Sequence, residues 1–261
     1  MKTRSRTRVT ALAAACMAAI CLALPATSTA ASSKRSDKIE AMARHLRSDL
    51  EGILVRARAQ LIQLSRLPSV QAGSASACTS DMAARAGDPR YTALGAADLS
   101  GNIYCLSIPF TPPVSIVDRA YFLRALGTAD LGVGDFQIGR ATGQGSVGLG
   151  FPVVAGGRTS GIVLSPLSLA WLEPRIEAQR RRPARDLFVI DDHGTALAHA
   201  GPAAVTQGEN LGGTALVKKA LKRDRSQGKT RFRGKRVFAA TDVVPLSDGA
   251  IHVVVSGRLK G

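Results

Sequence analysis

Over residues 33–67 the apolar side chains recur in steps of three and four. Ile39, Met42, Leu46, Leu50, Ile53, Ala57, Leu61 and Leu64 keep that interval, which places them on one face of an α-helix. Arg and Lys fill much of the other face, and no proline intervenes before Pro68. The one glycine, Gly52, costs a helix only about 1 kcal/mol. A single helix of this extent would span roughly 50 Å, longer than most globular helices, so it should run past more than one packing unit. Two shorter helices broken near Gly52 are the alternative.

The segment before it has a different character. Lys2, Arg4, Arg6 and Arg8 precede an uncharged apolar run over residues 9–24, then Pro25 and the small residues Ser28, Thr29 and Ala30. This order of basic head, apolar centre and small-residue exit is that of a secretory signal peptide covering residues 1–30. An uncleaved membrane anchor is the alternative, although sixteen apolar positions are short for a span. Cys16 and Cys21 lack the leucine and small-residue context of a lipoprotein processing site. Loss of the leader removes four basic residues and lowers the formal charge from +16 to +12. A basic exported protein can face anionic lipid, an acidic partner or an anionic ligand. Nucleic acid is a poor fit, because aromatics are only 4% of the chain, the basic residues are scattered and the leader directs the chain away from it.

Two cysteines follow the leader, Cys78 and Cys105. An even count in an exported chain suggests a disulfide, which on loop entropy stabilises by roughly 3 to 4 kcal/mol. His45, His193, His199 and His252 are far apart in sequence and show no metal-ligand spacing. They read as surface or packing residues, and no metal or other cofactor is expected.

After the long helix, short elements alternate with turns. A helix is expected over residues 74–85, capped by Ser76, then strands over 92–98 and 103–108, a short helix over 118–126, and strands over 133–139, 148–154 and 161–169. Trp171, Pro174 and the run Arg180-Arg181-Arg182-Pro183 mark a subdomain boundary, with the arginines read as a solvated linker. A smaller set follows: strands over 186–190 and 195–200, a helix over 214–221, and strands over 231–241 and 251–257. Strands joined by short turns predict an α+β fold, with antiparallel sheets and helices packed on one side.

Few residues point to covalent chemistry. Gly143, Gly145 and Gly148 match the dinucleotide-binding spacing, but Phe151-Pro152 follows where that motif requires a helix. These glycines are better read as permitting a hairpin or a close backbone approach to a ligand. No nucleophile elbow, zinc-hydrolase helix or phosphate loop is present. Asp191 and Asp192 read as turn residues, and Glu173 and Asp186 have no visible partner. Nothing argues for an enzyme, and no catalytic residue is assigned.

The segment Asp118-Arg119-Ala120-Tyr121-Phe122 is different. On a helix, Arg119 would share a face with Phe122, and Asp118 with Tyr121. An arginine beside an aromatic wall suits a small carboxylate. Alternatively, Asp118 caps the helix and the aromatics pack on the sheet.

This segment, with Pro89-Arg90-Tyr91, Asp98-Leu99-Ser100-Gly101, Val133-Gly134-Asp135-Phe136-Gln137-Ile138-Gly139-Arg140, Phe151-Pro152-Val153 and Leu169-Ala170-Trp171-Leu172, resembles the double Cache extracellular sensor domain of bacterial histidine kinases, diguanylate cyclases and chemoreceptors. The resemblance covers residues 33–257 and is most specific over 118–143. It implies a stalk helix over 33–67 carrying two PAS-like modules with antiparallel sheets, membrane-distal over 68–172 and membrane-proximal over 184–257. The ligand site of the family lies in the distal module and maps here onto Arg119, Tyr121 and Phe122, with Gln137 and Arg140 beside them. Amino-acid binders of the family place a Tyr and an Asp where this chain has Gln137 and Gly139, and another Asp near Ser165 and Pro166. Without those carboxylates a buried ammonium has no partner, so an organic acid or other small anion is expected instead. Such domains usually continue into a second membrane helix and an output domain, neither of which is seen by Gly261. The expectation is a periplasmic, extracytoplasmic sensor that is soluble after cleavage or held by its N-terminal helix. It would work through a separate membrane receptor or kinase, with a homodimer along the long helix as a further possibility. A ligand-free interaction domain from a truncated receptor and, more remotely, an exported enzyme are the competing classes.

Overall fold

The computed structural model of the protein describes residues 27–259. Apart from its last four positions, the leader expected over 1–30 lies outside them. Helix α1 (Thr27–Ser65) is one unbroken helix of 39 residues, roughly 58 Å long. It starts six residues before the expected 33–67 and stops two residues short, and Gly52 does not break it. Ile39, Leu46, Ala57 and Leu61 are fully buried along its inner face, while Met42 is half-buried. Pro68 opens the short α2 (Pro68–Gln71), where its missing N–H costs nothing. In α3 (Ala75–Arg85) the N-cap residue is Ser74 rather than Ser76, and its side chain makes no capping bond.

The first sheet is built from β1 (Gly95–Asp98), β2 (Ile103–Leu106), β3 (Gly132–Ile138), β4 (Gly145–Ala155), β5 (Arg158–Leu164) and the two-residue β6 (Leu167–Ser168), with α4 (Ala120–Thr128) between β2 and β3. Its order is β2-β1-β5-β4-β3, with β6 pairing to β4. A disulfide joins Cys78 on α3 to Cys105 on β2 across a Cα–Cα distance of 5.9 Å. Helix α5 (Leu169–Gln179) leads out of this sheet, and its Ser168 cap accepts the Trp171 N–H.

The second sheet contains β7 (Ala184–Ile190), β8 (Ala196–Ala200), β9 (Ser226–Phe232), β10 (Lys235–Pro245) and β11 (Ala250–Arg258), with α6 (Ala215–Leu221) between β8 and β9. Its order, β8-β7-β11-β10-β9, repeats that of the first sheet. The single strand expected over 231–241 is two strands. Arg233 and Gly234 both have left-handed backbone (φ 45° and 76°), the conformation of a tight two-residue hairpin turn. Arg233-Gly234 lacks the Asn or Asp that commonly opens such a turn, which hid it from a pattern reading.

All strand pairs are antiparallel, but helices cover both faces of each sheet rather than one. One core is continuous along α1 and joins the inner faces of the two sheets. Ile39 meets β11 at Gly257, Arg47 donates to the Val243 carbonyl of β10 at 2.9 Å, and Arg58 reaches Asp130 beyond α4 at 2.7 Å. The outer face of the first sheet is closed by α4 and that of the second by α6. Among the described residues no helix is long and apolar enough to cross a membrane.

Candidate functional site

The sequence around residue 120 gives α4 a short, tightly seated helix. It begins at Ala120, with Arg119 as an extended N-cap residue. The face argument that assumed a helix from Asp118 therefore does not hold for Asp118 and Arg119. Tyr121 and Phe122 are both buried, but they have different surroundings. Phe122 packs into the outer core with Ile116, Ala125 and Ile162 and does not line the cavity described below. Its expected ligand contact is thus replaced by a packing role. Tyr121 lies across β3 and β4 over a strip of glycines. A Cβ on Gly148 would sit 1.9 Å from the Tyr121 ring, and one on Gly134 3.2 Å from it. The glycine pattern at 143–148 thus serves the β3–β4 hairpin, with Gly143 at φ 66°, and the close approach of an aromatic ring rather than of a ligand.

Where the N-terminus of α4 faces the end of β3, Arg119, Tyr121, Gln137 and Arg140 converge on one small cavity of about 30 Å³, walled by Ile103, Leu106 and Leu164. That is the volume of roughly one water molecule. Four of the five expected ligand residues are therefore brought together. Gly139, Thr142 and Pro166 also line the space; the family resemblance sets Gly139 and Pro166 at or near positions where amino-acid binders carry an Asp, whereas Thr142 is assigned no role.

Polar groups in this region are held in a definite arrangement. Tyr121 and Gln137 line the same cavity, and burial of the ring pushes the phenol well above its usual range. It is a neutral hydrogen-bonding group. Arg119 donates to the Ile138 carbonyl at 3.3 Å. Arg140 forms a two-pronged pair with Asp118 at 2.6 and 2.7 Å and donates to the Ser115 carbonyl at 2.6 Å. Asp118 therefore latches the loop over the cavity and does not cap α4. This pair spans 22 positions, a separation at which sequence gives no signal. The Arg140 hydrogen bonds hold the Asp118 carboxyl down at about 2. No Asp or Glu lines the cavity itself. Ser165, between the lining residues Leu164 and Pro166, is fully buried, and its hydroxyl has no hydrogen-bond partner in the protein.

The other face of α4 ties the first module to the second. Arg124 donates to the Val133 carbonyl at 2.7 Å and to Asp135 at 3.1 Å, and pairs with Asp192 at 3.8 Å and Asp248 at 3.5 Å. Asp191 accepts from the Phe136 N–H of β3 at 3.2 Å as well as from His193 and Thr195 within its own turn. The two turn aspartates thus also bridge the modules. Glu173 and Asp186 both have partners in space: Gln207 for the first, and His199 and the Ala203 N–H for the second. Among the described residues no cluster of three or more His, Cys, Asp or Glu is placed to hold a metal ion.

Two antiparallel sheets of identical order on one long helix define the class of fold: that of Cache-type ligand-binding domains of bacterial chemoreceptors and histidine kinases. Among solved structures, the ligand-binding domain of the Pseudomonas fluorescens chemoreceptor CtaA in complex with L-isoleucine aligns with a TM-score of 0.67 at 15% identity, covering 89% of this chain and 96% of that one. The corresponding domain of Pseudomonas aeruginosa PAO1 PctB in complex with L-Arg aligns with a TM-score of 0.67 at 13% identity, over 85% and 94% of the two chains. The extracellular domain of rpHK1S-Z16, named as a histidine kinase, gives 0.64 at 15% identity, over 89% and 96%. No family model and no curated protein matches the chain.

Proposed function

We propose that the protein is an exported sensor module that binds a small organic acid or other small anion in its first, membrane-distal module and signals through a separate membrane receptor or kinase. The observation that carries this reading is the convergence of Arg119, Arg140, Tyr121 and Gln137 on a cavity lined by no carboxylate. Solved relatives in fold are sensory ligand-binding domains, several of them with amino acids bound. The carboxylate that meets the lining residue Arg140, that of Asp118, is committed to it. An α-amino group would find no free counter-charge, and an unpaired buried ammonium is strongly disfavoured. A carboxylate, by contrast, can replace Asp118 on Arg140 and gain Arg119. The Arg140–Asp118 pair is largely exposed, and such pairs contribute only about 0 to 1 kcal/mol, so the latch yields to a modest competitor. Opening it lets the cavity grow, and the Arg124 contacts give α4 a direct hold on the second module. A second copy meeting the first along α1 belongs to the same reading.

A thermal-shift screen of residues 27–261 against small carboxylates, amino acids, amines and purines, with Arg119→Ala in parallel, tests this. A ligand that binds only the folded state raises the midpoint. The expected result is a rise with one carboxylate that is lost in the variant. A rise with amines or amino acids alone, retained in Arg119→Ala, would overturn it.

A further inference from the structure

At the opposite end of the molecule from α2, the start of α1 meets the end of β11. Five arginines, Arg35, Arg180, Arg182, Arg185 and Arg258, surround one open cleft of about 700 Å³ there, floored by Pro183, Ala184 and Pro202. Two have carboxylate partners: Arg180 pairs with Glu177 at 2.5 Å and Arg185 with Asp186 at 3.5 Å. Arg35 donates to the Arg258 carbonyl at 3.3 Å and has no ion-pair partner among the described residues. Among the described residues, Arg182 and Arg258 have no ion-pair partner. Among the described residues, three guanidinium charges around one opening therefore have no carboxylate partner. The arginine run that reads as a solvated linker in the sequence is drawn by Pro183 and β7 to the rim of this cleft.

We propose that this end face docks on an anionic membrane surface, with lipid phosphates entering the cleft between the arginines. The inference goes beyond the ligand-binding reading and is independent of it. Three observations favour lipid over a free anion. The cleft is open and many times larger than a phosphate group. Its floor is apolar, which suits arginine stems that lie along hydrocarbon while their heads reach phosphate. In the sequence, the apolar run over residues 9–24 also ends eleven positions before Arg35. Docked in this way, α1 stands away from the bilayer and carries the cavity at Arg119 outward.

Vesicle co-sedimentation tests the proposal. Residues 27–261 contain the whole core from Ile39 to Val255 and lack the apolar run, so binding reports on the folded surface. Vesicles of phosphatidylcholine alone are compared with vesicles one-third phosphatidylglycerol. The cleft variant Arg35→Gln/Arg182→Gln/Arg258→Gln is set beside a charge-matched control, Lys218→Gln/Lys222→Gln/Arg223→Gln, on the exposed surface of α6 and the turn after it. Binding to the anionic vesicles alone is expected. The cleft variant should lose about fivefold per arginine, on the order of a hundredfold in all, while the control stays within a few-fold of wild type. Equal losses in both variants would reduce the effect to net charge and overturn the proposal. So would the absence of binding to anionic vesicles, or release by inorganic phosphate at the ionic strength where sodium chloride has no effect, which would assign the cleft to a soluble anion.

Discussion

The two modules place their strands in the same order, yet the space between sheet and outer helix is filled in opposite ways. In the first module β3 and β4 present Gly132, Gly134, Gly148 and Gly150 to α4. The helix comes so close that a Cβ on Gly132 would lie 2.2 Å from the Tyr121 carbonyl oxygen. Polar groups, Gln137 and the Tyr121 hydroxyl, are buried at its edge beside a cavity. In the second module the equivalent layer holds Phe188, Phe232, Val237, Ala239 and Val254 under Leu216 and Val217 of α6. Phe188 and Phe232 meet edge to face at 5.1 Å, a favoured aromatic geometry. One topology thus gives a cavity beside a layer stripped of side chains in one module and a closed core in the other. The difference lies in what β3 and β4 carry toward α4 and what their counterparts β9 and β10 carry toward α6.

Removing Phe188 should have the largest effect on stability. It is fully buried, and Phe→Ala in such a position costs about 3 to 5 kcal/mol. Phe188→Ala should lower the unfolding free energy measured in urea by that amount, while the thermal-midpoint rise caused by the ligand of the first module persists. Loss of the ligand response along with stability would mean that the second module holds the ligand. Gly148→Ala should cost less, about 1 to 3 kcal/mol, by overpacking. The new methyl group meets a buried ring at 1.9 Å, not the free end of a flexible chain, so Tyr121 has to move. The ligand response should be abolished even at temperatures where the variant is folded. A folded Gly148→Ala protein with an unchanged response would separate Tyr121 from recognition.

The long helix, the α+β class and the disulfide were legible in the sequence because each rests on a local or compositional signal. Ile39 to Leu64 repeat at helical spacing, and two cysteines follow the apolar run over residues 9–24. The hairpin at Arg233-Gly234 was not legible, since Arg-Gly is not one of the Asn-Gly or Asp-Gly pairs that signal such a turn. The candidate site was legible in part. Arg119 and Tyr121 stand out as a cation beside an aromatic, whereas Phe122, identical in type to a wall residue, turns into the core because α4 begins two positions later than its pattern suggests. Asp118 looked like a cap, since nothing local reveals a partner on a loop beyond the next strand. Helical faces follow from spacing; pairings across a sheet follow from topology, which has to be known first.

The smallest expected effect concerns that pairing and bears on the chemistry of the site. Asp118→Asn breaks the latch while leaving the size of the side chain unchanged. Because the pair is exposed, the loss of stability at neutral pH should not exceed about 1 kcal/mol. The carboxyl is depressed from its usual 3.8 to about 2 by Arg140. Its contribution is therefore complete above the usual value and disappears as pH falls toward 2. The wild type and the variant should differ at neutral pH and converge at the acid end, as thermal midpoints across that range will show; a gap that persists in acid would exclude ionic pairing as its cause. Ligand binding responds in the opposite sense. If a carboxylate takes the place of Asp118 on Arg140, the variant removes the competitor, and titration calorimetry should show tighter binding at neutral pH. If Asp118 instead serves an ammonium group of the ligand, binding weakens, and the first module belongs with the amino-acid binders that share its fold.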